Sequence, residues 1–269
     1  MNHREEDKHT LCRVRDLSIL LEVHDAIESF RADTYAVKEP ETLEWIDRYF
    51  RPGDVFFDVG ANIGLYSLYA AKRMGGDCQV LAFEPEALNH AQLVRNILRN
   101  GLSGRILPCC LAITDQLRFS SFHINPDDFD QISQGRFAPG SSGHSFAGAL
   151  DFMGRPFQPC MVQGMLGVPL DMLCRDLGAP VPNHVKIDVD GLEDDIIAGM
   201  RSILADTRLR SVLVEVSPRP GQTEGIRKAL EDGGLQEDTA YPEHSRTQLI
   251  GSPWEGCENI IYVRPGADS

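Results

Sequence analysis

One heptapeptide carries the clearest chemical signal in the chain. Asp58-Val59-Gly60-Ala61-Asn62-Ile63-Gly64 lies between an apolar run and a run with helical spacing. Glycine at such a turn lets the backbone approach a ligand closely, and a helix start offers unpaired N–H groups. A pyrophosphate-binding turn needs G-x-G-x-x-G. Counted from Gly60, its second and third glycines would fall on Asn62 and Leu65, so the spacing speaks against NAD or NADP. A ligand with an amino-acid end makes other demands. An acid at the strand end, here Asp58, holds its ammonium directly or through water. Gly60 and Gly64 give close approach, Ala61 stays small, and Asn62 can hydrogen-bond the amino-acid end. Glu84 follows Gly64 by 20 residues at the end of the next apolar run. In doubly wound folds an acid there accepts hydrogen bonds from ribose hydroxyls. A nucleoside joined to an amino acid, S-adenosylmethionine (SAM), satisfies both requirements.

A second group of charges interrupts a later apolar run, at Lys186, Asp188 and Asp190. Alternation along a strand points them to one face or toward its C-terminal end, where doubly wound sheets bind ligands. Burying such charges without partners is costly, so they either pair with each other or position a second substrate or the SAM amino acid. A base is needed to take a proton from an acceptor hydroxyl. Asp188, Lys186 and His144 are the candidates, in falling order. His123 is a second loop histidine, and Glu215, Tyr35 and Glu39 are further candidates to face the crevice. Asp188, Asp190, Glu193, Asp194 and Asp195 also raise magnesium as a question. They do not match a calcium loop, and the last three suit the first turn of a helix, so no metal is expected.

The elements that must hold these residues follow from periodicity. Residues 55–60 read as a buried strand, 65–74 as a helix, 79–85 as a strand, 86–100 as a helix and 105–113 as a third strand. After a break, 184–190 read as a strand, 192–204 as a helix, 211–217 as a strand, 225–234 as a helix and 258–265 as the last strand. This order predicts an α/β, Rossmann-like, mostly parallel seven-stranded sheet with an antiparallel last strand and helices on both faces. Residues 41–50 predict a short helix after Pro40. Residues 11–35 fit a helix or a strand equally. The domain is placed at 51–265, preceded by a segment at 1–50 and interrupted by a loop-rich insertion at about 114–168. Long insertions in compact domains are usually functional, so this one is expected over the ligand crevice.

DVGANIG, FEP and KIDVDG, with a helix beginning LED, together resemble the FkbM-type methyltransferases. The likeness runs from about residue 35 to 265 and includes VPLDML before the fourth strand. It implies a class I methyltransferase fold, a SAM site at Asp58, Gly60, Asn62, Gly64 and Glu84, and O-methylation of natural products or sugars. The family usually carries Glu where this chain has Asp190, one methylene shorter.

Bulk composition narrows the partners. Forty acidic residues against 26 basic ones give a net charge of -14, which argues against nucleic acid and an acidic membrane surface. Seven cysteines, with no C-x-x-C pair, read as reduced thiols of a cytoplasmic protein. The charged start MNHREEDKHT lacks a signal-peptide core. The sequence thus predicts a SAM-dependent methyltransferase acting on a hydroxyl of a small molecule. N-methylation on the same fold and a non-catalytic binding module are the alternatives.

Overall fold

The computed structural model describes residues 9–125, 140, 142–240 and 255–266. Strands β1 (His9–Val14) and β2 (Leu17–Glu22) form an antiparallel hairpin, and helix α1 (Ala26–Thr34) follows. The ambiguous residues 11–35 therefore contain both structures. Asp25 separates them by capping α1, its carboxylate accepting from the Ile27 and Glu28 amides. Helix α2 (Pro40–Tyr49) begins on its proline as expected.

The alternating core comes next: β3 (Asp54–Val59), α3 (Leu65–Arg73), β4 (Cys78–Phe83), α4 (Ala87–Arg99) and β5 (Ile106–Cys109). Then come β6 (Ala112–Ile113), β7 (Arg118–Ile124), β8 (Ser145–Phe146), β9 (Met161–Val168) and α5 (Leu170–Arg175). The chain continues through β10 (His184–Ile187), α6 (Glu193–Ala198), α7 (Arg201–Ala205), β11 (Ser211–Val216), α8 (Gln222–Asp232), β12 (Gln236–Glu237) and β13 (Glu258–Val263).

The main sheet has seven strands in the order β12-β13-β11-β10-β3-β4-β5. Six of them run in one direction, five pairing side by side as parallel neighbours, and β13 alone runs the other way, antiparallel to both its neighbours. Side chains alternate between two cores. Phe56, Val80, Leu213 and Ile261 pack with α2, α3 and α4, whereas Phe57, Leu81, Val185 and Val214 pack with α6, α7 and α8. The chain runs outward from β3 to β4 and β5, then returns to β10 on the other side of β3. The strand order therefore reverses between β3 and β10, where a doubly wound sheet opens its ligand crevice.

Three elements differ from the sequence reading. The run 105–113 divides, because β6 leaves the main sheet to pair with β9. The insertion is more regular than a loop. It forms a second sheet, β6-β9-β7-β8, in which β7 and β9 pair from end to end around Phe122, Ile124, Phe146 and Met165. Two glycines of β9 are packing positions; a Cβ on Gly164 would lie 2.9 Å from the Phe119 ring, and one on Gly167 2.7 Å from Thr114. Finally, the helix expected over 192–204 breaks into α6 and α7 at Gly199, where a Cβ would stand 2.3 Å from the Thr114 carbonyl oxygen. Asp171 restarts it, accepting from the Ser202 and Ile203 amides at 2.9 and 3.0 Å.

At the N-terminal ends of the strands, His184 is fully buried and stacks on Phe50 at 4.0 Å. Its ring nitrogens lie 2.7 Å from Ser211 Oγ and 3.0 Å from Asp54 Oδ2. Burial drives its pKa down to about 4 although Asp54 favours the charged ring. A lowered folded pKa means stability that is present above the unfolded value near 6.5 and lost as pH falls toward 4. The stability of the protein minus that of His184→Gln should therefore drop by about 3 kcal/mol between pH 7 and pH 4. Site carboxyls held above their ordinary range titrate with the opposite sign, so this difference, read by thermal unfolding, isolates the histidine. A pH-independent difference would show that folding leaves the His184 pKa unshifted, and a difference that grows as pH falls would show that the ring is charged in the folded protein.

Candidate active site

The turn after β3 has Gly60, Asn62 and Gly64 at φ +83, +50 and +93, the left-handed region. The Gly60 and Ala61 amides both donate to the Phe83 carbonyl at 3.0 Å, which fixes the turn to the end of β4. The Asn62 amide donates to Glu84 Oε2 and the Glu86 amide to Glu84 Oε1, each at 2.8 Å. Turn and ribose-binding candidate are thus one unit. Burial pushes the Glu84 carboxyl up to about 8 against these two N–H groups. Each of its oxygens retains a lone pair for a hydroxyl. Asn62 also accepts from the Ile63 amide at 2.9 Å, so part of its role is to shape the turn.

Asp58 is 1% exposed and accepts from Ser67 Oγ through Oδ2 at 2.6 Å. Its Oδ1 is buried without a hydrogen-bond partner. Burial raises its pKa, partly offset by Lys186. A buried acceptor lacking a donor is a site for one, and the ammonium of SAM supplies it. No side chain caps the start of α3, where the first amides of a helix lack intrahelical partners, and this completes a cradle of suitable chemistry. The residues present therefore fit SAM.

Lys186 sits opposite Asp58 in the β10–β3 register, and its Nζ lies 2.6 Å from Asp188 Oδ2 and 5.1 Å from the Tyr66 ring centroid. Burial works against the ammonium, yet Asp188, Asp58 and Glu39 hold its pKa above the ordinary value. Glu39 accepts from Lys38 Nζ at 2.8 Å. Burial opposes its charge too, but Lys38 and Lys186 hold the carboxyl at about 2. Tyr35 donates its hydroxyl to the Leu65 carbonyl and so ties the end of α1 to the start of α3. These groups form a narrow cleft whose walls include Arg31, Lys38, Gly60, Asn62, Lys186 and Asp188. A wider groove between α6, α7 and α8, lined by Asp194, Ile197, Arg201 and Ile226 among others, shares no residue with this cleft.

The other candidates are more dispersed. Asp190 stands beyond the strand at φ +61, and its Oδ2 accepts from the Gly143 amide at 2.7 Å, joining the insertion to the end of β10. Burial and then Asp188 push its pKa up to about 6. Glu215, at the end of β11, is pushed far up by burial and then by Asp188 and Asp190. His144 is 8% exposed, and its Nδ1 accepts from the Asn125 amide at 3.2 Å. Burial, then Arg31, lowers its pKa to about 4. With Nδ1 already accepting, a neutral ring carries its proton on Nε2, so the histidine is poorly placed to act as a base. His123 lies on β7 on the opposite side from Phe122 and Ile124. Glu193 accepts from the Gly191 amide and the Gln222 amide group, both at 2.9 Å. Among the described residues no group of three or more His, Cys, Asp or Glu is arranged to hold a metal ion. None of their helices is long and apolar enough to cross a membrane.

The strand order, the glycine turn at the switch point and the paired Glu84 define a class I methyltransferase. Residues 58–236 match the Methyltransferase FkbM domain, and the chain belongs to the FkbM methyltransferase family. It is 31% identical over 182 residues to 31-O-demethyl-FK506 methyltransferase FkbM of Streptomyces tacrolimicus, covering 62% of this chain and 66% of that protein. It is 27% identical to Methyltransferase sdnD of Sordaria araneosa, covering 78% of this chain and 88% of the relative. A third relative, AMB antimetabolite synthetase AmbE of Pseudomonas aeruginosa, is 27% identical over 80% of this chain, which spans 11% of its length. A solved structure, Methyltransferase FkbM from Methylobacillus flagellatus KT, superposes with a TM-score of 0.48 at 15% identity, over 88% of this chain and 52% of that one. The chain thus carries a methyltransferase domain of the FkbM type and spans 66% and 11% of the length of the Streptomyces and Pseudomonas relatives.

Proposed function

We propose that the protein transfers the methyl group of SAM to a hydroxyl of a small molecule such as a sugar or a natural-product intermediate. The carrying observation is Asp188. It is half-buried at the end of β10, lines the cleft beside the glycine turn and is oriented by Lys186 at 2.6 Å. SAM, when bound, supplies an electrophilic methyl group on a sulfonium. Asp188 takes the proton from the acceptor hydroxyl as that oxygen attacks, and Lys186 keeps the carboxylate in place. Asp58, Gly60, Ala61, Asn62, Gly64 and Glu84 hold the cofactor. The insertion, tied to the strand end through Gly143 and Asp190, shapes the acceptor pocket. The name of the Streptomyces relative, an O-methylating enzyme of a natural product, supports the same acceptor chemistry. The test is incubation with methyl-labelled SAM and a panel of sugars and hydroxylated natural products. Label in a methoxy group is the expected outcome, and label on nitrogen would select N-methylation.

A further inference from the structure

Three cations reach the wall of the cleft: Arg31 from α1, Lys38 from the turn after it, and Lys186 from β10. Lys38 is paired with Glu39, and Lys186 with Asp188. Arg31 differs. Its Nε donates to the Gly140 carbonyl at 2.5 Å, and among the described residues its two Nη groups have neither a hydrogen bond nor a carboxylate partner. Because the guanidinium is planar, the bond to Gly140 fixes the fork and leaves the Nη pair to face another group. Its charge is felt at Glu84, Asp190 and His144.

The charges of SAM are unequal in sign. Sulfonium and ammonium are positive, and the methionine carboxylate is the sole anion. Asp188 and Glu39 in the wall of the cleft, with Asp58 buried beside Lys186, attract the two cations and repel the carboxylate. It must turn toward a cation that no acid of the chain has neutralised. We propose that Arg31 binds the methionine carboxylate of SAM through its Nη groups. Planar two-point recognition of a carboxylate is the guanidinium's characteristic contact. The proposal rests on the SAM reading of the site.

Calorimetric titration with SAM and with decarboxylated SAM tests it, since the second compound keeps the adenosine, sulfonium and ammonium but lacks the carboxylate. The unaltered protein should prefer SAM by about 10- to 100-fold, the range of a hydrogen bond to a charged group. Arg31→Gln should bring the ratio near one by weakening SAM alone, and its retained binding of decarboxylated SAM shows an intact site. Arg31→Lys should keep part of the preference. If Arg31→Gln weakens both compounds equally, or neither, the carboxylate assignment is overturned while the cofactor reading stands. If the unaltered protein binds neither compound, both are overturned.

Discussion

Gly60→Ala should be far more damaging than the same change at other left-handed glycines, and should abolish measurable SAM binding. A Cβ built at Gly60 falls 1.8 Å from the Asp188 carbonyl oxygen and 2.8 Å from its carbon. Those are backbone atoms of the adjacent strand end, so no side-chain rotation relieves the overlap. The turn and the end of β10 must separate, at the point where the cleft is built. The backbone adds strain, because φ is +83 and alanine tolerates that region poorly. Overpacking of about 1–3 kcal/mol and left-handed strain of about 1–2 kcal/mol combine to a loss of about 2–5 kcal/mol. Two controls separate these contributions. Gly53 has φ +90 with nothing within 4 Å of a Cβ, so Gly53→Ala carries the strain alone. Gly64 has φ +93, and its Cβ would meet the flexible end of Leu93 at 2.5 Å, so Gly64→Ala should fall between. Denaturant unfolding of the three variants gives the order, and equal losses at Gly53 and Gly60 would refute the close-approach argument.

That close approach also marks the limit of what the sequence could reveal. The heptapeptide and Glu84 were legible because their constraint is local: a strand, a left-handed turn, a helix start, and an acid one βα unit later. The sequence reading gave Gly60 a ligand to approach. In the folded chain it also approaches Asp188, 128 residues on. The same non-local logic hides the break at Gly199. A glycine within a helical pattern is usually tolerated, and here it admits the Thr114 carbonyl from the insertion. The insertion reads as loop-rich with only short strands such as residues 117–124, which form β7, and β9 is hidden because glycines and serines dilute the alternation of Phe122 and Ile124 against Met165 and Val168. Arg31 and Lys38 were missed altogether. They belong to a stretch whose periodicity fits two structures, and only the packing of α1 against α3 brings them to the cleft. Tyr66 had a weak signal, its place in the first helical turn after the glycines. For Lys186 and Asp188 the pairing does not compete with the proposed role in proton transfer. They do bond to each other, and the bond holds the carboxylate at the cleft wall.

From that arrangement follows the expected behaviour of Asp188→Asn. The amide preserves the size of the side chain and still accepts from Lys186 Nζ, so the end of β10 keeps its shape. It cannot accept a proton at neutral pH. If Asp188 is the base, kcat should fall by about 100- to 10,000-fold, the usual contribution of a positioned proton acceptor. SAM affinity should stay close to that of the unaltered protein, because no step of cofactor binding needs this proton transfer. Asp188→Glu should recover less than the full rate, since the longer side chain displaces the carboxylate from the position that Lys186 sets. A purely structural ion pair gives a different pattern. Removing one partner of a buried pair leaves Lys186 facing only Asp58 and Glu39, which costs about 3–5 kcal/mol of stability with little specific loss of kcat in the folded fraction. Measuring kcat, SAM affinity and unfolding free energy on the same preparation separates the two. Lys186→Met is the complementary change. It leaves Asp58, Glu39 and Asp188 to repel one another across the cleft without their shared cation. It should therefore lose stability and orientation together, whereas Asp188→Asn loses the proton transfer alone. A folded Asp188→Asn protein with undiminished kcat would move the base to another residue, and Glu215, the next carboxyl along the strand ends, would be the first to examine.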